Sequence, residues 1–263
     1  GVTETAAAIA FNPARGEPVA GSVGFRAPFS QTRVVRLGEE GGACEPGESG
    51  LVQVRGPQVF PGYVDPAHNI GTLGADGWLT TGDVGYMTTD QRLVLTGREK
   101  DLIVRSGHNI DPAAIEDVAN RFDGVHISAA VGMPDQYAGE VPALFVVPAP
   151  GAEIDLGALR AFMEANVHEP PARPRSVLVI DALPVTAVGK IFKPALRDLA
   201  IEEKVRLEAA LACGPQAQVA TAISLDAQKR TCVDVRVSGA APAQLAALEA
   251  ALKPLPQSFT VRG

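Results

Sequence analysis

An α+β chain of more than one domain is what the sequence predicts, and three features predict it. The first hundred residues break into short apolar, β-branched runs between glycine and proline turns, the pattern of a small β-barrel or meander. From Ile110 the period changes, and helical and strand-like stretches alternate. Between the two lie residues 96–112, where Arg98, Glu99, Lys100, Asp101 and Arg105 crowd around Leu102 and Ile103 with no helical phase. Such a charged run between Gly97 and Gly107 reads as a domain joint, because hinges sit at element ends where few contacts cross.

Taken in order, residues 22–25, 32–37 and 50–54 have strand character, between turns at 16–18, 38–42 and 46–50. Residues 59–63 read as loop, and 66–77 hold a short helix. GWLTTGD at 77–83 reads as a tight turn, with short strands across 84–95. Asp111 and Pro112 then open a helix, an acidic cap followed by proline at the first helical position. Over 112–122 it places Ile115, Val118, Ala119 and Phe122 on one face. Residues 125–133 and 143–148 are apolar, β-rich strands. Behind Asp155 as cap, a helix over 156–167 turns Leu159, Phe162, Met163 and Val167 inward. A strand at 175–181 and a long helix at 194–211, closed by Cys213-Gly214-Pro215, complete a small α+β domain of about 100 residues, a size that folds alone. Beyond it come strands at 217–225 and 231–237, a helix at 242–252 and a strand at 259–261, an add-on layer or interaction module without chemistry of its own. The expected domains are therefore 1–99, 100–213 and 214–263.

The totals narrow the function. A formal net charge of -7 over 263 residues argues against a nucleic-acid partner, which needs a basic face, and leaves a nucleotide open. Cys44, Cys213 and Cys232 are odd in number, far apart and without metal spacing, the usage of reduced thiols in a cytoplasmic protein. No apolar run approaches the roughly 20 residues a membrane span requires, and no signal peptide is visible. His68, His126 and His168 are scattered and form no metal constellation.

Six segments follow one another in a telling order. They are Gly1-Val-Thr-Glu4, GESGLVQVRGPQVFPGYVDP at 47–66, TGD at 81–83, GREKDLI at 97–103, SGHNIDPAAIED at 106–117 and PVTAVGKI at 184–191. Together, over roughly residues 1–200, they resemble the adenylate-forming superfamily of acyl-CoA synthetases, adenylation domains and firefly-type luciferases, with wording nearest the acyl-CoA synthetase branch. The resemblance implies the barrel-like end of the family's large domain followed by its small C-terminal lid. It also implies that the family's phosphate loop and most of its acyl pocket lie upstream, so this stretch alone is expected to be inactive. The implied reaction joins a carboxylic acid to CoA with ATP and Mg²⁺, through an acyl-adenylate. Loading of a carrier protein is the alternative within the enzyme class. A fragment acting as a binding module, regulated by an acetyltransferase acting on Lys190, is the alternative outside it.

Particular residues carry that chemistry. Lys190 follows Gly189 in a Pro-x-x-x-x-Gly-Lys loop, and a compact ammonium on a flexible stem suits a group that must reach a carboxylate and a phosphate together. By resemblance it orients the acid and stabilises charge on the α-phosphate; otherwise it is a solvated loop lysine. The carboxylate of Asp83 can accept two hydrogen bonds from vicinal hydroxyls. The family holds the ribose so, with Arg98 assisting; the plainer readings are a turn-capping aspartate and a surface ion pair. Thr3 resembles the phosphate-contacting threonine and Glu4 the Mg²⁺-associated glutamate, both expected to be unassembled at the start of the chain. Lys100 occupies the hinge position. Gly107 fits the pantetheine channel of CoA, since a backbone without Cβ allows close approach, or else it is a turn glycine leading into the helix. His108 is read as non-catalytic. Ala114 stands where the family often has a glutamate, and Glu116 two places on is retained.

Overall fold

A computed structural model describes residues 1–6, 8–38 and 42–263, which divide into two compact units, Gly1–Asp101 and Leu102–Gly263. In the first unit, β1 (Ala10–Phe11), β2 (Ser22–Arg26), β3 (Gln31–Val35), β4 (Gly50–Arg55), β5 (Leu79–Met87) and β6 (Leu93–Arg98) form one antiparallel sheet in the order β1-β2-β6-β5-β4-β3. Strands β3 to β6 thus run as a meander, and β2 with β1 adds beside β6. Alternation sets the faces: Val52 and Val54 of β4 point inward and meet Ile9, Val34 and Leu93. Short 3-10 turns sit at Thr3–Thr5, Pro66–Asn69 and Glu99–Asp101. Of the turn expected at 38–42, residues 39–41 lie outside the described residues.

One sequence expectation fails here for a physical reason. Thr81-Gly82-Asp83 is not a turn but the bulged middle of β5. Leu51 pairs with Val84 and Gln53 with Thr80, so Val52 alone faces three residues of β5. A bulge absorbs the extra residues while the strand continues, and Gly82, at φ +73°, takes the left-handed backbone this needs.

The second unit opens with the hairpin β7 (Ile103–Arg105) and β8 (His108–Ile110), then α1 (Pro112–Ala119), β9 (Val125–Asp135), β10 (Gly139–Pro148), α2 (Leu156–Asn166), β11 (Ser176–Val179) and α3 (Lys193–Cys213). Asp111 accepts from the Ala113 N–H and Asp155 from those of Gly157 and Ala158, so both helices start where their caps predict. Strand β10 is the hub, antiparallel to β9 along its length, parallel to β11, and paired with β7 at Gly139. Ala130, Leu144 and Val146 face Ile115, Val118, Leu159 and Met163 of α1 and α2, whereas Ala129, Val131 and Phe145 face Leu196 and Ala200 of α3. Helices on both faces explain why these strands read as continuous apolar runs rather than alternating ones.

The chain ends in β12 (Gln218–Leu225), β13 (Thr231–Ser238), α4 (Pro242–Leu252) and β14 (Ser258–Arg262), a three-stranded sheet of order β12-β13-β14. Its core joins Val233, Val235 and Val237 to Leu248 and Leu252 of α4 and to Ile201, Val205 and Ala209 of α3. One long helix therefore serves two cores: its first turns pack on the β9–β10 sheet and its later turns on the tail. All of 102–263 belongs to one compact unit for that reason.

Candidate functional site

In the first unit the β5 bulge presents Asp83 directly opposite Arg98 in the β5–β6 ladder. Arg98 Nε donates to Asp83 Oδ1 at 2.8 Å, with the carboxylate side chain 12% exposed and the guanidinium side chain 49% exposed. Asp83 is held from behind: its N–H donates to Thr81 Oγ1 at 3.1 Å, and that hydroxyl donates to the Val52 carbonyl at 2.9 Å. The surface ion pair weighed for Arg98 and the carboxylate proposed for ribose are thus the same contact.

Thr3 and Glu4 are not frayed. They form a 3-10 turn whose Glu4 carbonyl accepts the Phe60 N–H at 2.8 Å, and Tyr63 Oη donates to Glu4 Oε1 at 2.6 Å. That phenol bond holds the Glu4 carboxyl below the usual carboxylate range. The residue's own N–H adds to the effect, partial burial opposes it, and the Arg98 cation lowers it further. The same bond raises the Tyr63 phenol. Glu4, Arg98 and Asp83 therefore form one electrostatic neighbourhood, with Thr3 exposed at its edge and Lys100 exposed on the turn that ends the unit. Sequence reasoning missed Tyr63, although it stands within the Pro-Gly-Tyr of the quoted segment at 47–66.

In the second unit Lys190 lies on a small hairpin that joins β11 to α3. Val185 bridges to Ile191, the Thr186 N–H donates to the Lys190 carbonyl at 2.7 Å, and the Gly189 N–H returns to the Thr186 carbonyl at 2.9 Å. Gly189 closes the loop at φ +78°, the left-handed residue of a three-residue hairpin connection. A Cβ there would meet nothing within 4 Å, so conformation rather than crowding requires the glycine. Lys190 is exposed on this hydrogen-bonded base. Three residues on, Lys193 Nζ donates to Glu116 Oε1 at 2.9 Å, and the same oxygen accepts the Ala130 N–H at 2.9 Å. The retained glutamate of the sequence is thus the tie between α1, β9 and the start of α3; its lysine was not foreseen.

Gly107 also needs correction. Ser106 at φ +49° and Gly107 at φ +84° make the two-residue loop of the β7–β8 hairpin, with Arg105 opposite His108. Strand β8 separates this glycine from the helix, so it does not lead into it. His108 is exposed. A further feature escaped the sequence: a hollow of about 410 Å³ lined by Arg105, Arg160, Arg173 and Arg175, with Met163 and Glu164. Backbone carbonyls steady two of its cations, Arg105 Nη1 on Pro171 at 2.6 Å and Arg173 Nε on Val167 at 3.2 Å. The Arg173-Pro-Arg175 run was its available signal.

Among the described residues no group of three or more His, Cys, Asp and Glu could hold a metal, and no helix is long and apolar enough to cross a membrane. The cysteines are thiols.

Residues 114–190 match the AMP-binding enzyme C-terminal domain. The chain is 40% identical over 209 residues to the marinolic acid–CoA ligase of Pseudoalteromonas sp., covering 78% of this chain and 32% of that protein. It is 36% identical over 200 residues to the indoleacetate–CoA ligase of Aromatoleum aromaticum, covering 76% and 39%. Among solved structures, ATP-bound MatB from Rhodopseudomonas palustris superposes with a TM-score of 0.71 at 32% identity, covering 76% of this chain and 39% of that one. The chain thus spans about a third of the length of the curated relatives it matches.

Proposed function

We propose, for a chain that belongs to the adenylate-forming superfamily and matches its C-terminal portion, that the whole protein is an AMP-forming acid–CoA ligase. In the first half-reaction a carboxylate oxygen attacks the α-phosphorus of ATP and pyrophosphate leaves. In the second, the CoA thiol attacks the acyl carbon and AMP leaves. The observation that supports this most directly is the Asp83–Arg98 pair on the β5 bulge, with Glu4 beside it. A nearly buried carboxylate, positioned by Thr81 and one guanidinium, is the group to accept both ribose hydroxyls. Tyr63 donates to one oxygen of Glu4, which holds the carboxyl below the usual carboxylate range. A single carboxylate suits Mg²⁺ bound chiefly by phosphates and water rather than by a protein cage. Bound there, the ion would offset phosphate charge.

Lys190 then supplies the cation for the acid and the α-phosphate, Lys100 the hinge, and the loop at Gly107 a wall of the pantetheine path. The four arginines around the second-unit hollow suit the phosphates of CoA, since planar guanidinium groups bind them bidentately. Exposure on a hairpin tip also leaves Lys190 open to an acetyltransferase, which would remove its charge.

The test uses the full-length protein with MgATP, a panel of carboxylic acids and CoA, following pyrophosphate and AMP separately. Lys190→Ala should lower acyl-adenylate formation by about 10²–10³-fold, and Asp83→Ala should raise the KM for ATP. Undiminished adenylation by Lys190→Ala would refute the role given to it. Thioester formed on a carrier protein and not on CoA would replace the acceptor.

A further inference from the structure

Strand β12 is an edge of the tail sheet, and it carries none of the usual protections. Its eight residues, Gln-Val-Ala-Thr-Ala-Ile-Ser-Leu, include no charge, proline or glycine, and its ladder with β13 runs without a bulge. Edge strands of monomeric proteins are ordinarily blunted by such features, because unpaired N–H and C=O groups invite another strand. Among the described residues nothing hydrogen-bonds to the outer side of 218–225. Side chains tell the same story. On β13 the core-facing Val233, Val235 and Val237 are 0–2% exposed, whereas Val219, Thr221 and Ile223 of β12 stay only half-buried on that face.

What selects the partner is the order of the residues. Read in both directions from Thr221, β12 gives Ala220 and Ala222, then Val219 and Ile223, then Gln218 and Ser224. Two-fold symmetric contacts use one patch on both copies, so residue i meets j while j meets i. Any strand can pair with its own copy in this way, and β12 suits it because about an axis at Thr221 small residues face small ones and β-branched face β-branched.

We propose that two copies of this chain pair β12 against β12, antiparallel, with Thr221 facing Thr221 on the two-fold axis. The product is a continuous six-stranded sheet, β14-β13-β12-β12-β13-β14. On the helix-covered face Val219 meets Ile223, matched β-branched side chains that are each only half-buried in the single chain. On the open face Ala220 meets Ala222 and Gln218 meets Ser224. A one-residue slip would send the partner's apolar positions to the opposite side of the sheet, so the register is specified by the faces as well as by the sequence. The inference is independent of the catalytic reading, since no group of the candidate site takes part.

The experiment measures the solution mass of the full chain by light scattering across a dilution series. Two chain masses are expected at the upper concentrations. Ala220→Lys with Ala222→Lys sets four ammonium groups around the axis on the solvent face, where like charges oppose one another directly. This variant should keep the wild-type far-UV spectrum and a cooperative melting transition and run at one chain mass. Ala220→Glu with Ala222→Glu should do the same, and an equimolar mixture of the two should return to two chain masses. If the lysine variant fails to fold, the glutamate variant makes the same test, since position 220 there faces Arg236 of β13. A wild-type chain of single mass at every concentration overturns the proposal. So does a folded charged variant that keeps the double mass, or a mixture that stays single.

Discussion

Replacing Lys193 with methionine tests the tie that holds the base of the Lys190 hairpin to the central sheet. Lys193 Nζ lies 2.9 Å from Glu116 Oε1 and 3.4 Å from the Ala130 carbonyl, and each side chain of the ion pair is 18% exposed. Methionine keeps most of the stem's volume, so the change is chiefly electrostatic. Losing a hydrogen bond to a charged group costs about 1.5–3 kcal/mol. Stranding a fully buried charge costs about 3–5 kcal/mol, but water reaches this carboxylate and the Ala130 N–H still serves it. The expected loss is about 2 kcal/mol, equivalent to about 4–8 °C in Tm for a unit of this size. Among the described residues the four α-helices all lie in the second unit, so far-UV ellipticity during urea or thermal unfolding follows that unit; Trp78, the single tryptophan, reports the first. Glu116→Gln should cost less than the lysine change, and a double-mutant cycle should show coupling of about 1 kcal/mol. A loss below about 0.5 kcal/mol for Lys193→Met, the range of an inert surface change, would mean that the tie is not structural.

Leu159→Ala removes a fully buried α2 side chain between the helices and β10, and should lower stability by about 2–5 kcal/mol in the same ellipticity assay. Gly189→Ala meets no steric obstacle but must hold φ +78°, at a cost of about 1–2 kcal/mol. The Thr186 amide, which closes that hairpin, should then exchange with solvent about 5–30 times faster. Tyr63→Phe removes the hydrogen bond that most favours the ionised Glu4, so the Glu4 carboxyl should move up toward the ordinary value of about 4.3. Because the folded-state value is depressed, this carboxylate adds stability above its unfolded pKa and loses it as pH falls through the folded one. The variant should therefore show a weaker acid dependence of unfolding below about pH 4, with the Glu4 shift read by NMR titration.

The fold was legible wherever a local rule had a single outcome. Asp111 and Asp155 announced their helices because a side-chain oxygen before an apolar period has one obvious use, capping the first free N–H groups. The apolar runs of β9 and β10 announced strands, and their burial on both faces is the reason those runs do not alternate. Contacts between distant residues had no such signature. Tyr63 reaches Glu4 across 59 positions and Lys193 reaches Glu116 across 77. No spacing rule operates at that separation, so the start of the chain read as loose and Lys193, just ahead of the expected helix at 194–211, drew no reading at all.

Glycine shows where local reading misleads. Gly82, Gly107 and Gly189 all adopt left-handed backbone, and a Cβ on any of them would meet nothing within 4 Å. A bulge, a two-residue hairpin loop and a three-residue hairpin loop therefore ask the same thing of the sequence, freedom in φ. That is why the bulge at Gly82 was taken for a turn, and why freedom in φ already accounts for the glycine at 107, alongside the ligand approach proposed for it. The chemical signal lies instead in the residue each glycine displays. Gly82 precedes a carboxylate with an arginine across the ladder, and Gly189 precedes an exposed ammonium on a hydrogen-bonded base. Neighbouring charge, rather than the turn itself, separates a site from a bend.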